Sequence, residues 1–168
     1  MLISLAESSF ACLAYLEDEP CKLYELMVEK AGELQTSLLL DVILQETRKH
    51  RELLNHLSRV FEHESFARAE AECERELGEL FTQALATVHS VKDEVLRGTP
   101  VAEAAAKLVD FERSASEEYL TELHVGVAAT TETNQAVKKI LEGIAEDEVG
   151  HVQILKLIVE MAARERSP

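Results

Sequence analysis

The stretch from Val137 to Ile158, VKKILEGIAEDEVGHVQILKLI, decides how the chain folds. Taken in steps of three and four it gives Val137, Leu141, Ile144, Glu148, His151, Leu155 and Ile158, which is one face of an α-helix. A carboxylate and an imidazole therefore interrupt an otherwise apolar seam, one turn apart. A carboxylate left unpaired in a helical core costs several kcal/mol. Something must compensate Glu148, and a cation is the economical candidate.

Working outward, the same period predicts four further long helices. The first runs from about Leu2 to Ala31, with Leu2, Leu5, Ser9, Leu13, Leu16, Pro20, Leu23 and Met27 on its stripe and Gly32 just past its end. Pro20 keeps the phase of that stripe, so a kinked but continuous helix is expected. The second covers about Leu34 to Val60, with Leu40, Ile43, Thr47, His50, Leu54 and Leu57 inward. A connector helix is expected over about 66–97, capped by Ser65, with Phe66, Cys73, Leu77, Leu80, Ala84, Val88, Val91 and Val95 on its stripe and Gly98 closing it. Thr99-Pro100 opens a helix over about 100–127, and Thr130 to Thr133 turns the chain into the last one, about 132–164.

Composition agrees with an all-α domain spanning 1–168. Six glycines and three prolines are too few for a turn-rich β protein. The net charge of −15 argues against nucleic acid or an anionic membrane as partner. No apolar run is long enough to span a membrane. The apolar N-terminus lacks a basic region and carries Glu7, so it does not read as a signal peptide. Cys12, Cys21 and Cys73 are scattered and odd in number, without a C-x-x-C pair. They are expected as small core residues of a protein in a reducing, cytoplasmic setting.

Ionisable groups recur on the inward stripes. Glu17 lies among Leu13, Leu16, Pro20 and Tyr24, and Glu112 among Leu108, Phe111, Ala115 and Tyr119. Each Glu stands seven residues before its Tyr, and each such helix is followed by one with an inward histidine, His50 or His151. The chain thus reads as two helix hairpins joined by a long crossover, a known four-helix-bundle topology. Taken singly, Glu17 beside Asp18 and Glu19 also reads as a solvated charge run, and His50 among Arg48, Lys49 and Arg51 as a surface residue. Their repetition in matched places is what favours a metal site.

This constellation resembles the rubrerythrin-like branch of the ferritin-like di-iron carboxylate proteins, without a rubredoxin domain. Their bundle takes one Glu from each of two helices and a Glu-x-x-His from each of the other two. The resemblance spans the four main helices, with the extra helix lying in the crossover. It implies Glu17 and Glu112 as single-helix ligands, Glu148 and His151 as one Glu-x-x-His, His50 as the second histidine, and Tyr24 and Tyr119 as inner tyrosines. It departs at Thr47, which stands where the other Glu-x-x-His would place its Glu. Glu46, four before His50 and on its face, is the candidate substitute. An asymmetric pair, a single metal or an empty relic all remain open.

The resemblance implies two iron ions, or mixed iron and manganese, with zinc as a substitute on isolation; mixed carboxylate and imidazole donors suit these metals. It implies an oxidoreductase acting on ferrous iron, oxygen or peroxide, in the manner of a peroxidase or ferroxidase. A separate electron donor and a homo-oligomer, dimer first, belong to the same expectation. The alternative is a ferritin-like binding or structural module with a degenerate or single-metal site.

Overall fold

Six helices make up the described residues, with no strand among them: α1 (Phe10–Lys30), α2 (Leu34–Phe61), α3 (Glu70–Leu77), α4 (Glu79–Leu96), α5 (Val101–Gly126) and α6 (Glu132–Glu165). The computed structural model describes residues 10–61, 70–126 and 132–165, and within these the side chains at 80, 116 and 118–134 fall outside the description. Expectations at Leu2 to Ser9, the Ser65 cap, Phe66 and Thr130 to Thr131, and for the Tyr119 side chain, lie outside the described residues.

The four long helices form two antiparallel pairs, α1 along α2 and α5 along α6, and the pairs meet through α2 and α6. α4 lies against α1 and α5, so the crossover packs onto the bundle. α1 runs through Pro20 as a helix, as the unbroken stripe predicts.

Each long helix changes character partway along. α1 buries Phe10, Leu13 and Ala14, then Glu17, then Leu23, Tyr24 and Met27. α2 buries Leu40, Ile43 and Leu44, then Thr47 and His50, then Leu54 and Leu57. α6 buries Val137, Leu141 and Ile144, then Glu148 and His151, then Leu155 and Ile158. Because neighbours run in opposite directions, these breaks coincide in space. One apolar cluster, with Phe10, Leu13, Leu54, Leu57, Leu141 and Ile144, fills one end. Another, with Leu23, Met27, Leu40, Ile43, Leu108 and Leu155, fills the other. Each fully buried Leu or Ile there contributes about 1.5–3 kcal/mol. That packing holds a polar layer between two dry ones.

Two expectations are corrected. The connector is not one helix: Gly78 adopts φ 70°, a backbone that L side chains rarely take, and separates α3 from α4. Past the break Phe81 and Leu85 are buried while Ala84 is half-buried, and Val88, Val91 and Val95 are buried as expected. The far end behaves as expected. Gly98, at φ 99°, closes α4 while the Gly98 and Thr99 N–H groups donate to the carbonyls of Val95 and Glu94.

The cysteines are the second correction. α3 folds beside α1 and brings Cys73 to Cys12, Cα to Cα 5.2 Å, where the two form a disulfide. Only Cys21 is a free thiol, and it is buried. The cysteine argument for a reducing compartment thereby loses its basis. Among the described residues no helix is long and apolar enough to cross a membrane.

Candidate metal centre

Glu17, His50, Glu112, Glu148 and His151 all sit in the polar layer, each at most 6% exposed. Helical register puts them there. Residues 17 and 112 fall on the inward stripes of α1 and α5. His50 and His151 fall on those of α2 and α6, and Glu148 lies one turn before His151.

Two groups of three donors emerge, Glu17 with His50 and Glu148, and Glu112 with Glu148 and His151. In each group the ligand atoms lie within 4.8 Å of one another, close enough to share a metal ion. Glu148 belongs to both, and its two oxygens divide the work. Oε1 stands 2.9 Å from His50 Nδ1, and Oε2 stands 3.3 Å from His151 Nδ1. Glu17 Oε2 lies 3.9 Å from His50 Nδ1, and Glu112 Oε2 lies 3.4 Å from His151 Nδ1. The imidazoles face each other with ring centres 5.8 Å apart.

The outer nitrogens are engaged by carboxylates. His50 Nε2 donates to Asp147 Oδ2 at 3.0 Å, and His151 Nε2 donates to Glu46 Oε2 at 3.0 Å. An ionised carboxylate only accepts hydrogen bonds, so it fixes the proton on Nε2. In the neutral ring that turns the Nδ1 lone pair into the layer, the arrangement by which metal-binding histidines are oriented. His50 Nδ1 supplies a second sign. Among the described residues it is the buried side-chain polar atom that makes no aligned hydrogen bond, despite its closeness to Glu148. Buried polar atoms without partners are rare in folded proteins. A cation at that point would satisfy it, so the donor set fits a metal ion.

Electrostatics describe the layer when protons alone neutralise it. Burial, then the neighbouring Glu148 carboxylate, raises Glu112 from 4.5 to about 8. Burial also opposes ionisation of Glu148, but the closeness of Glu112, His151 and His50 outweighs it and holds Glu148 well below the usual range. Burial would depress His151, yet Glu112 and Glu148 raise it to about 11. His50 is raised against its burial by Glu148 and Glu17. One proton thus stays on the Glu112–Glu148 pair, and the imidazoles offset the rest of the charge.

Glu46 and Thr47 complete the account. Glu46 joins neither three-residue group and instead holds His151 from outside. Thr47 is 2% exposed, and its hydroxyl donates back to the Ile43 carbonyl at 2.9 Å. Tyr24 is fully buried, and its hydroxyl donates to Glu112 Oε1. Asp147, which sequence reasoning passed over, is the counterpart of Glu46. Each stands four residues before its own helix's histidine and bonds the other helix's histidine. That shared offset was the available signal. His89, for which no partner was foreseen, pairs with Glu19 at 3.1 Å, and Lys22 also binds Glu19.

A cavity of about 670 Å³ reaches this layer from the side covered by α4 and α5. Glu17, Thr47, Glu112 and Glu148 lie on it, Leu13, Leu16 and Phe111 line its walls, and exposed Gln83 and Lys107 stand at its rim.

No protein-family model matches the chain, and neither a curated protein nor a solved structure gives a significant match. The class is therefore set by the fold and the layer themselves. This is an all-helical, bundle-like protein with a buried Glu/His cluster that could hold a metal ion.

Proposed function

We propose that this chain is a ferritin-like, rubrerythrin-like non-haem di-metal protein and an oxidoreductase acting on ferrous iron, oxygen or peroxide. The observation that carries the reading is the division of Glu148 between two donor groups, one oxygen toward each inward histidine nitrogen. Two iron ions, or iron with manganese, would be held by Glu17, His50, Glu112, Glu148 and His151.

Each residue has a task in this reading. Glu148 would offer one oxygen to each donor group. Asp147 and Glu46 fix the imidazoles in the tautomer that offers Nδ1. Tyr24 holds one oxygen of Glu112, leaving the other beside His151. The apolar clusters on either side keep bulk water away, which strengthens every charge interaction in the layer. A bound iron pair supplies redox equivalents for reduction of oxygen or peroxide. With two of the three cysteines joined in a disulfide, the chain offers no cysteine cluster for electron relay, so a separate donor completes the cycle.

Thr47 favours a second reading, a helical binding module with a single metal, because it removes one anionic donor from the layer. Oxygen uptake separates the two. Protein loaded anaerobically with ferrous iron and then mixed with oxygen is expected to consume it and develop near-ultraviolet ferric absorbance, while Glu148→Ala does neither. Metal uptake without reaction with oxygen or peroxide would favour the module and overturn the oxidoreductase.

A further inference from the structure

We propose that the cavity beside Thr47 binds a small organic carboxylate with an apolar tail, its head group occupying the ligand position that Thr47 leaves open. This rests on the di-metal reading and names the ligand class of the same site.

Three observations converge. First, α2 and α6 are matched in register: Glu46 and Asp147 stand at equal distances before their histidines and brace each other's imidazole. Position 47 is therefore the counterpart of 148. Glu148 sends an anion into the layer, whereas Thr47 turns its hydroxyl back to its own helix at Ile43. Beside His50, α2 sends no carboxylate to the place facing Glu148.

Second, the inner carboxylates are too few. Glu17, Glu112 and Glu148, fully ionised, bring three negative charges against the four positive charges of two divalent ions. Glu46 and Asp147 lie one layer out on the imidazole Nε2 atoms, and Asp147 is also paired with Lys49 at 2.6 Å. A buried net positive charge calls for an anionic partner.

Third, the space beside Thr47 has the form of a ligand site. Its volume of about 670 Å³ lies within the range of small-molecule pockets. Its floor carries Glu17, Glu112, Glu148 and Thr47, its walls are apolar at Leu13, Leu16 and Phe111, and the exposed Glu76, Asp110, Glu117 and Lys107 lie on its outer lining. Without cations this floor repels an anion; with them it attracts one. Carboxylate binding should therefore require metal, and the walls should reward a hydrocarbon tail.

The test titrates hexanoate into protein loaded with manganese(II), after elemental analysis has established the loading. Hexanoate should bind the loaded protein, with 1-hexanol at least tenfold weaker for want of charge. Acetate should be weaker by on the order of 100-fold for want of four methylenes. Metal-free protein should not bind hexanoate. Thr47→Glu should keep its manganese and lose hexanoate by tenfold or more. Ala115→Trp, at a cavity-lining position outside both donor groups, should lose hexanoate and retain both metal and acetate. Loaded wild-type protein that ignores hexanoate, or that binds inorganic phosphate in preference to it, overturns the proposal while leaving the di-metal reading intact. So does hexanoate binding undiminished in both variants. Failure to take up manganese at all overturns both readings.

Discussion

Asp147 and Glu46 touch only the outer nitrogens of the histidines, yet they decide which nitrogen carries the proton. Substituting such outer partners typically weakens metal binding by about 10–100-fold. Asp147→Asn and Glu46→Gln should follow that pattern, with full stoichiometry recovered at saturating metal. Glu148→Ala should lower stoichiometry itself; metal titrations of the three variants distinguish the outcomes. The metal-free layer also makes a pH prediction. Glu112 is raised from 4.5 to about 8 and His151 from 6.5 to about 11, so the folded state holds protons that the unfolded chain has lost. Both groups therefore contribute stability at low pH that drains away between about 4.5 and 11 as pH rises. Glu148, depressed by its partners, works the other way, and its contribution is lost as pH falls below about 4.5. Chelator-treated protein should be most stable in mildly acidic solution and lose stability on the alkaline side, and bound metal should flatten that loss. Thermal unfolding across pH checks it; alkaline loss that is identical with and without metal would contradict it. At this scale the sequence was informative where residues share a helical face. Glu17, His50, Glu112, Glu148 and His151 were readable from the apolar stripes they interrupt. The roles of Asp147 and Glu46 were not, because each acts on a histidine of the other hairpin.

Elements were legible wherever one period ran unbroken. The reading of α2 from Leu34 to Val60 meets a helix over Leu34–Phe61, and that of the last helix over 132–164 meets Glu132–Glu165. The crossover was misread because Gly78 sits inside an apparently continuous stripe. Its positive φ ends α3 and α4 starts after it, and a lone glycine does not announce that. The Cys12–Cys73 bridge was invisible for a related reason: its partners are 61 residues apart, and only the return of α3 along α1 joins them. Closing so long a loop should stabilise the fold by about 2–4 kcal/mol. Thiol counting tests the bridge. The folded protein should present no fast-reacting thiol, since burial pushes Cys21 up to about 12. Denaturant alone should reveal the single Cys21 thiol, and denaturant with reductant all three. Three thiols without reductant would contradict the bridge.

Across the whole molecule, two apolar clusters enclose a layer of carboxylates and imidazoles in a chain of net charge −15. Such a layer is costly unless neutralised, and a protein that keeps five ionisable groups there sacrifices stability for something the layer does. Cations that bind the folded state alone stabilise it by mass action. The all-helical class and the two helix hairpins were readable from composition and period; which atoms of the four helices meet in the layer only the fold displays. The central claim is that these side chains jointly hold two metal ions, and metal content tests it most directly. Protein loaded anaerobically with excess ferrous iron, then desalted, should carry about two irons per chain, and Glu148→Ala distinctly fewer. Trace iron in the wild-type protein, no greater than in Glu148→Ala, would contradict the account.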